Sequence, residues 1–232
     1  MLKIENLSKT FTMHVGNEKT IECLDSIDIS IGEGQMAAII GPSGAGKSSL
    51  LKCVYGTYLS TLGNIYYTDR SGETHNLANI DLQTMRMLRI NEIGYVSQFF
   101  HVIPRIAAID ILCEPLINRG VSLEDAQSRA KELLHKVGIP ESLWNMYPST
   151  FSGGEKQRLN IIYGIITKPR LLLLDEPTAS LDPKSKASVL ELIKELKEQG
   201  SIILGVFHDY EAMKTVADKS YHIITKRMEL VS

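Results

Sequence analysis

Met36-Ala37-Ala38-Ile39-Ile40-Gly41-Pro42-Ser43-Gly44-Ala45-Gly46-Lys47-Ser48-Ser49-Leu50-Leu51 is the stretch around which the rest of the chain is read. An apolar run ends in glycine, a small-residue loop follows, and a helical pattern begins at Lys47. That order is the strand–loop–helix context of a phosphate-binding loop. Glycines let consecutive backbone N–H groups turn inward, and the helix start adds the positive end of its dipole. In such a loop Lys47 reaches the β- and γ-phosphates and the Ser48 hydroxyl ligates Mg²⁺. The residues therefore predict a nucleoside triphosphate site; the alternative is a surface turn rich in small residues.

The bulk properties narrow the partners. The chain has 232 residues and a formal charge of −2, with both signs mixed along it. That gives no basic face for nucleic acid, and the length suits one core carrying a smaller lobe. Met1-Leu2-Lys3-Ile4-Glu5 reads directly into folded structure without a signal-peptide core, and no apolar run is long enough to span a bilayer. The expected location is the cytoplasm, peripheral at the inner membrane if the chain is a transporter subunit. Cys23, Cys53 and Cys113 lie far apart among apolar neighbours and read as buried thiols.

On the N-terminal side of the loop, Lys3 to Leu7 and the alternating Ile27-Asp28-Ile29-Ser30-Ile31 predict half-buried strands of an antiparallel sheet beside the nucleotide core. Phe11, between them and exposed by pattern, is either an aromatic that stacks on a base or a rim residue of the small sheet. Gly63 to Tyr67 predicts another strand and Thr68 to Asn76 a loop or hairpin. Arg86 to Arg89 leads to a short strand, Ile93 to Val96, followed by Gln98.

From Phe99 to about Pro148 the pattern turns helical and breaks the β-α alternation, so it reads as an inserted lobe. One helix covers Ala107 to Leu116. A second runs from Ser122, its N-cap, to Val137, stopped by Gly138, with Leu123, Ala126, Ala130, Leu133, Leu134 and Val137 as its core stripe. Ser152-Gly153-Gly154-Glu155 then opens a third helix, either as an ordinary N-cap or as a second phosphate-contacting terminus.

Arg170 to Leu174 is an apolar run of the kind buried on both faces of a parallel sheet, and it ends in Asp175-Glu176. Open α/β sheets bind ligands at strand carboxyl ends. Asp175 can hold a Mg²⁺ water shell there and Glu176 can orient or deprotonate water. A helix from Ser185 to Gln199 follows, then a buried strand, Ser201 to Phe207, ending at His208. That histidine either donates to a γ-phosphate or is a loop histidine bonded to backbone.

Taken in order, the phosphate loop, Gln98, Ser-Gly-Gly-Glu at a helix start, Leu-Leu-Leu-Leu-Asp-Glu-Pro, Ser180-Leu181-Asp182 and His208 resemble the ATP-binding-cassette (ABC) ATPases along essentially the whole chain. The resemblance implies an α/β fold: a RecA-like P-loop NTPase core with an N-terminal antiparallel β subdomain (1–97 and 165–232) and an inserted helical signature subdomain (98–164). It implies ATP and Mg²⁺ as cofactors. Phe11 would stack on adenine and Gly41 through Ser49 would hold the triphosphate. Ser48, Gln98 and Asp175 would serve the metal, and Glu176, His208, Gln98 and Lys47 the catalysis. Ser152, Gly153, Gly154 and Glu155 would bind the ATP held by a second subunit, which Asp182 also contacts. A head-to-tail homodimer, or a pair with a paralogous ABC subunit, is thereby implied.

Two assemblies are compatible with that family. Val96 to Ile106, Leu143-Trp144, Pro148 to Glu155 and Phe207 to Asp209 resemble the L subunits of bacterial phosphonate carbon–phosphorus lyase systems, although His101 stands where arginine is expected. That likeness implies soluble phosphonate-processing partners and an association with ribose 1-methylphosphonate 5-triphosphate synthesis. The alternative is the nucleotide-binding subunit of a membrane transporter of the lipoprotein-release or macrolide-export type, whose ATPases also favour Ser-Gly-Gly-Glu. Its helical lobe would grip a cytoplasmic helix of a permease.

Overall fold

The computed structural model describes residues 1–13, 19–100, 104–224 and 226–230. His101, in the stretch most like the phosphonate-system subunits, lies outside the described residues.

Two sheets carry the fold. β1 (Leu2–Met13) and β2 (Lys19–Ile31) pair antiparallel, and β4 (Leu62–Thr68) and β5 (Thr74–Asn76) complete a four-stranded sheet in the order β2-β1-β4-β5. A six-stranded sheet has the order β10-β9-β3-β8-β7-β6. Its members are β3 (Met36–Ile40), β6 (Ile93–Val96), β7 (Leu171–Asp175), β8 (Ile202–Val206), β9 (Lys219–Ile224) and β10 (Arg227–Leu230). All its pairings are parallel except the β9–β10 edge.

Strand periodicity divides the interior in two. On β3, Ala37 and Ile39 face the small sheet, joining Ile4, Ile29 and Ile31 and the helix α1 (Lys47–Val54). Met36 and Ala38 face the opposite way, against α6 (Gly153–Ile165) and α7 (Pro183–Glu198). Successive side chains of a strand point to opposite faces, so a strand buried on both sides feeds two cores. The unbroken apolar run of β7 is the consequence.

Between β6 and β7 the chain forms α3 (Ala108–Ile117), α4 (Leu123–Lys136), the short α5 (Glu141–Trp144) and α6. Two glycines let α6 lie on β6: a Cβ on Gly94 would stand 2.2 Å from the Gly164 carbonyl oxygen, and one on Gly164 2.5 Å from a Val96 methyl.

Several expectations are corrected. β1 runs on through Phe11, so that residue is half-buried in a strand, edge-on to Tyr58 with ring centroids 5.2 Å apart. Thr68 to Asn76 takes the hairpin of the two expected forms, closed by the Asp69 carboxylate, which accepts from the Ser71 and Glu73 N–H groups. Arg86 to Arg89 lie inside a helix, α2 (Leu82–Asn91), capped by Asp81. The Asp81 carboxylate takes N–H groups that a helix start leaves unpaired, a signal the apolar pattern does not contain. The helix expected over Ala107 to Leu116 runs from Ala108 to Ile117, and Leu123 is 57% exposed instead of core, because it is the first residue after the Ser122 cap and has no turn beneath it. α7 starts at Pro183, two residues early, with Asp182 as its cap. Proline suits that position, since the first N–H of a helix has no intrahelical partner. Cys53 and Cys113 are buried but Cys23 is only half-buried.

Candidate functional site

The phosphate-loop stretch folds as its composition requires. Gly46 holds φ +97° and precedes α1 with no side chain capping the helix, so the first-turn N–H groups of α1 remain available as donors. A Cβ at Gly46 would also sit 2.6 Å from the Cys23 carbonyl oxygen. Lys47 is almost wholly buried, and its ammonium donates to the Gly41 and Pro42 carbonyls at 2.9 Å each. Ala45 N–H donates to the same Pro42 oxygen at 3.3 Å. Burial pushes the Lys47 pKa down, while the charges of Glu176 and Asp175 oppose that shift. A lysine bonded only to carbonyls keeps its charge unneutralised, and phosphate oxygens would supply what is missing.

The parallel sheet brings distant residues to this loop. Ser43, Gly44, Gly46, Lys47, Ser48, Ser49, Gln98, Glu176 and His208 surround a 210 Å³ cavity at the strand carboxyl ends. The Ser48 hydroxyl donates to Asp175 Oδ1 at 3.0 Å, and burial is the main cause that raises the Asp175 pKa. A carboxylate that is costly to ionise when buried gains most from a cation beside it. Ser48, Asp175 and the Gln98 amide offer oxygen donors only, a set that fits Mg²⁺ and not a thiophilic metal.

Glu176 sits at the centre of a small polar network. Its Oε1 is 2.9 Å from His208 Nε2, and its Oε2 accepts from Gln98 Nε2 at 3.3 Å. Its backbone adopts φ +55°, a left-handed conformation that a non-glycine residue holds only when its surroundings enforce it. Its N–H donates to Val206 O at 3.1 Å, and Gln157 of α6 donates to the carbonyls of Glu176 and Pro177 at 3.4 and 3.3 Å.

The remaining predicted residues lie elsewhere in the molecule. Ser152, Gly153, Gly154, Glu155 and Asp182 do not line this cavity, and neither does Phe11. Ser152 and Glu155 form a reciprocal capping box: the Ser152 hydroxyl accepts from Glu155 N–H at 3.3 Å, and the Ser152 N–H donates to the Glu155 carboxylate at 2.8 Å. Asp182 accepts from the N–H groups of Lys184 and Ser185 at 3.0 and 3.1 Å. Both readings of Ser152 thus stay compatible with this geometry, since Ser152 and Gly153 are exposed and Gly154 is half-buried.

Sequence reasoning gave three residues no role at this cavity. Cys23 lines the cavity because β1 and β2 slip register between Lys9 and Thr10: Lys9 pairs with Leu24 and Thr10 with Glu22, leaving Cys23 as the extra residue of a bulge. A bulge re-aims one side chain and no alternation pattern reveals it. Gln157 and Asn160 are buried polar residues one turn apart on α6, and Asn160 donates to the Ser97 carbonyl at 2.6 Å beside Gln98. Two amides at that spacing on an otherwise apolar face are the signal that could have found them.

A family model described as "ABC transporter" matches residues 24–179. The chain is similar to the glutamine transport ATP-binding protein GlnQ of Escherichia coli, 36% identical over 94% of this chain and 85% of that one. It is 35% identical to the lipoprotein-releasing system ATP-binding protein LolD of Rickettsia bellii, over 96% of this chain and 95% of that one. In three dimensions it matches a dimeric ATP-binding cassette solved in a post-hydrolysis state with ADP and Pi, at TM-score 0.89 and 29% identity, covering 100% of this chain and 99% of that one. With a phosphate loop under a parallel sheet, a strand-end Asp-Glu pair against it, an antiparallel side sheet and this likeness along nearly its full length, the chain belongs to the ABC transporter family and is an ATP-binding P-loop ATPase of the cassette class.

Proposed function

We propose that this chain is the nucleotide-binding subunit of a membrane transporter, of the lipoprotein-release or export type, and that it hydrolyses MgATP held between two copies in head-to-tail arrangement. One observation carries the dimer: the predicted nucleotide residues fall into two groups. Gly41 to Ser49, Gln98, Asp175, Glu176 and His208 gather at or beside one cavity, while Ser152 to Glu155 and Asp182, like Phe11, stay off it. A second copy turned head to tail supplies the missing wall. The dimeric solved relative supports that arrangement, and the transporter relatives support the assembly.

Within that site Lys47 exchanges its carbonyl partners for β- and γ-phosphate oxygens. The uncapped N–H groups of α1 take the remaining phosphate charge. Ser48, Asp175 and Gln98 would hold Mg²⁺, which neutralises triphosphate charge when bound. Glu176 orients the attacking water and accepts its proton; His208, 2.9 Å away, turns from the carboxylate to the γ-phosphate when nucleotide enters. Phe11 offers its ring face to the adenine. The partner's Ser152 hydroxyl and Gly154 N–H complete the anion cage, and Asp182 contacts the partner. We assign residues 98–164 as the helical signature subdomain and the remainder as core.

A cleft of 230 Å³ between the nucleotide core and the helical segment, lined among others by Tyr55, Arg89, Tyr95, Glu114, Arg119 and Tyr163, is where a permease helix would be gripped. The phosphonate carbon–phosphorus lyase reading stands second. It rests on likeness over Val96 to Ile106, Leu143-Trp144, Pro148 to Glu155 and Phe207 to Asp209, and the relatives named above are transport proteins. Purification from native membranes tests the choice: an integral membrane protein in stoichiometric complex supports the transporter, soluble phosphonate-processing subunits overturn it.

A further inference from the structure

The C-terminal turn of α4, the flank of α6 and the first two turns of α7 enclose a 390 Å³ cavity away from the phosphate loop. Its lining includes His135, Lys136, Arg158 and Lys184, with the hydroxyls of Ser185 and Ser188, against a single carboxylate, Asp182. Lys136 is paired with Glu195, and Asp182 is committed to the α7 cap and to the Ser185 hydroxyl. Neither His135 nor Lys184 has an ion-pair partner among the described residues. Arg158 is only 15% exposed; its Nη1 donates to Ser185 Oγ at 2.5 Å and stands 3.9 Å from Asp182 Oδ2. Its Nε is buried with no hydrogen-bond partner among the described residues.

The lining sets Lys136, Arg158 and Lys184 against one carboxylate, and the mostly buried Arg158 guanidinium meets Asp182 only at 3.9 Å, so the cavity carries surplus positive charge. An anion with several oxygens, accepting from guanidinium N–H donors, an ammonium and hydroxyls together, would balance it. The volume falls within the range of small-molecule sites and exceeds the needs of a lone halide. The geometry points to a second anion site in this cavity, for the phosphate group of a small phosphorylated molecule or for free phosphate. It shares no lining residue with the nucleotide cavity, and Asp182, which the function proposed above places at the dimer contact, lies on its wall.

Equilibrium dialysis at low ionic strength tests it, with inorganic phosphate and glycerol 3-phosphate as separate probes to distinguish free phosphate from an ester. The Lys47→Ala protein, in which phosphate retention at the phosphate loop is disabled, should still bind one probe saturably. Adding His135→Ala and Lys184→Ala, both exposed positions, should weaken that binding at least tenfold while the thermal unfolding midpoint stays unchanged. Absence of saturable binding to the Lys47→Ala protein with either probe, or binding that survives the two further substitutions, would overturn the site.

Discussion

Glu176 holds a left-handed backbone, and its two carboxylate oxygens are claimed by His208 and Gln98. A residue kept in that conformation by a strand-end hydrogen bond to Val206 is positioned before substrate arrives, so its chemistry and its placement can be separated. Glu176→Gln keeps the shape and removes the base. It should retain MgATP binding and lower turnover by about 10²–10⁴-fold, read by phosphate release; unchanged turnover would remove Glu176 from the mechanism. Lys47→Ala deletes the buried cation whose present partners are two carbonyls, and nucleotide affinity, read by fluorescent-nucleotide titration, should be largely lost. Gly46→Ala must place a methyl 2.6 Å from a carbonyl oxygen at φ +97°, so it should abolish binding by deforming the loop while Lys47 is still present.

Helix termini decide what α6 does at the scale of elements. The Ser152–Glu155 box satisfies two orphan donors, and Ser152→Ala should lower stability by about 1 kcal/mol in urea unfolding. Hydrogen bonds from the Ser152 hydroxyl, then from its N–H, hold the Glu155 carboxyl below its ordinary value. A depressed carboxyl pKa contributes stability above its unfolded value, near about 4.3, and loses it as pH falls through the lower folded value. The stability gap between the parent and Glu155→Ala should therefore be full at neutral pH and close below about pH 4. Where α6 crosses β6, Gly94→Ala has no room beside the Gly164 carbonyl, and a cost of about 1–3 kcal/mol is expected from calorimetry.

The elements also show what the residues disclosed and what they did not. The phosphate loop, β7 with Asp175 and Glu176, β8 with His208 and the Ser122 and Ser152 caps were legible, because each depends on a local pattern of apolar run, glycine or cap. Cys23 at the cavity and Leu123 in solvent were not. The first depends on a register slip between two strands and the second on which turn of α4 meets the core, and both are set by partners distant in sequence. The left-handed Glu176 gave no sequence signal either, since glutamate has no preference for that conformation.

Across the whole molecule, the parallel sheet places Glu176, the phosphate loop and His208 at one end, and Ser152 lies off the cavity they surround. On the function proposed above, a single copy offers half of a site at each of two places. Hydrolysis removes the ligand that two copies share, so the pair should loosen after turnover, and a partner could read that separation as motion. The most direct measurement is the mass of the Glu176→Gln protein by sedimentation equilibrium with and without MgATP. The account predicts monomer without nucleotide and, with it, a dimer holding two ATP that a further Ser152→Ala with Gly154→Val prevents. ATP bound stoichiometrically to a protein that remains monomeric would contradict it.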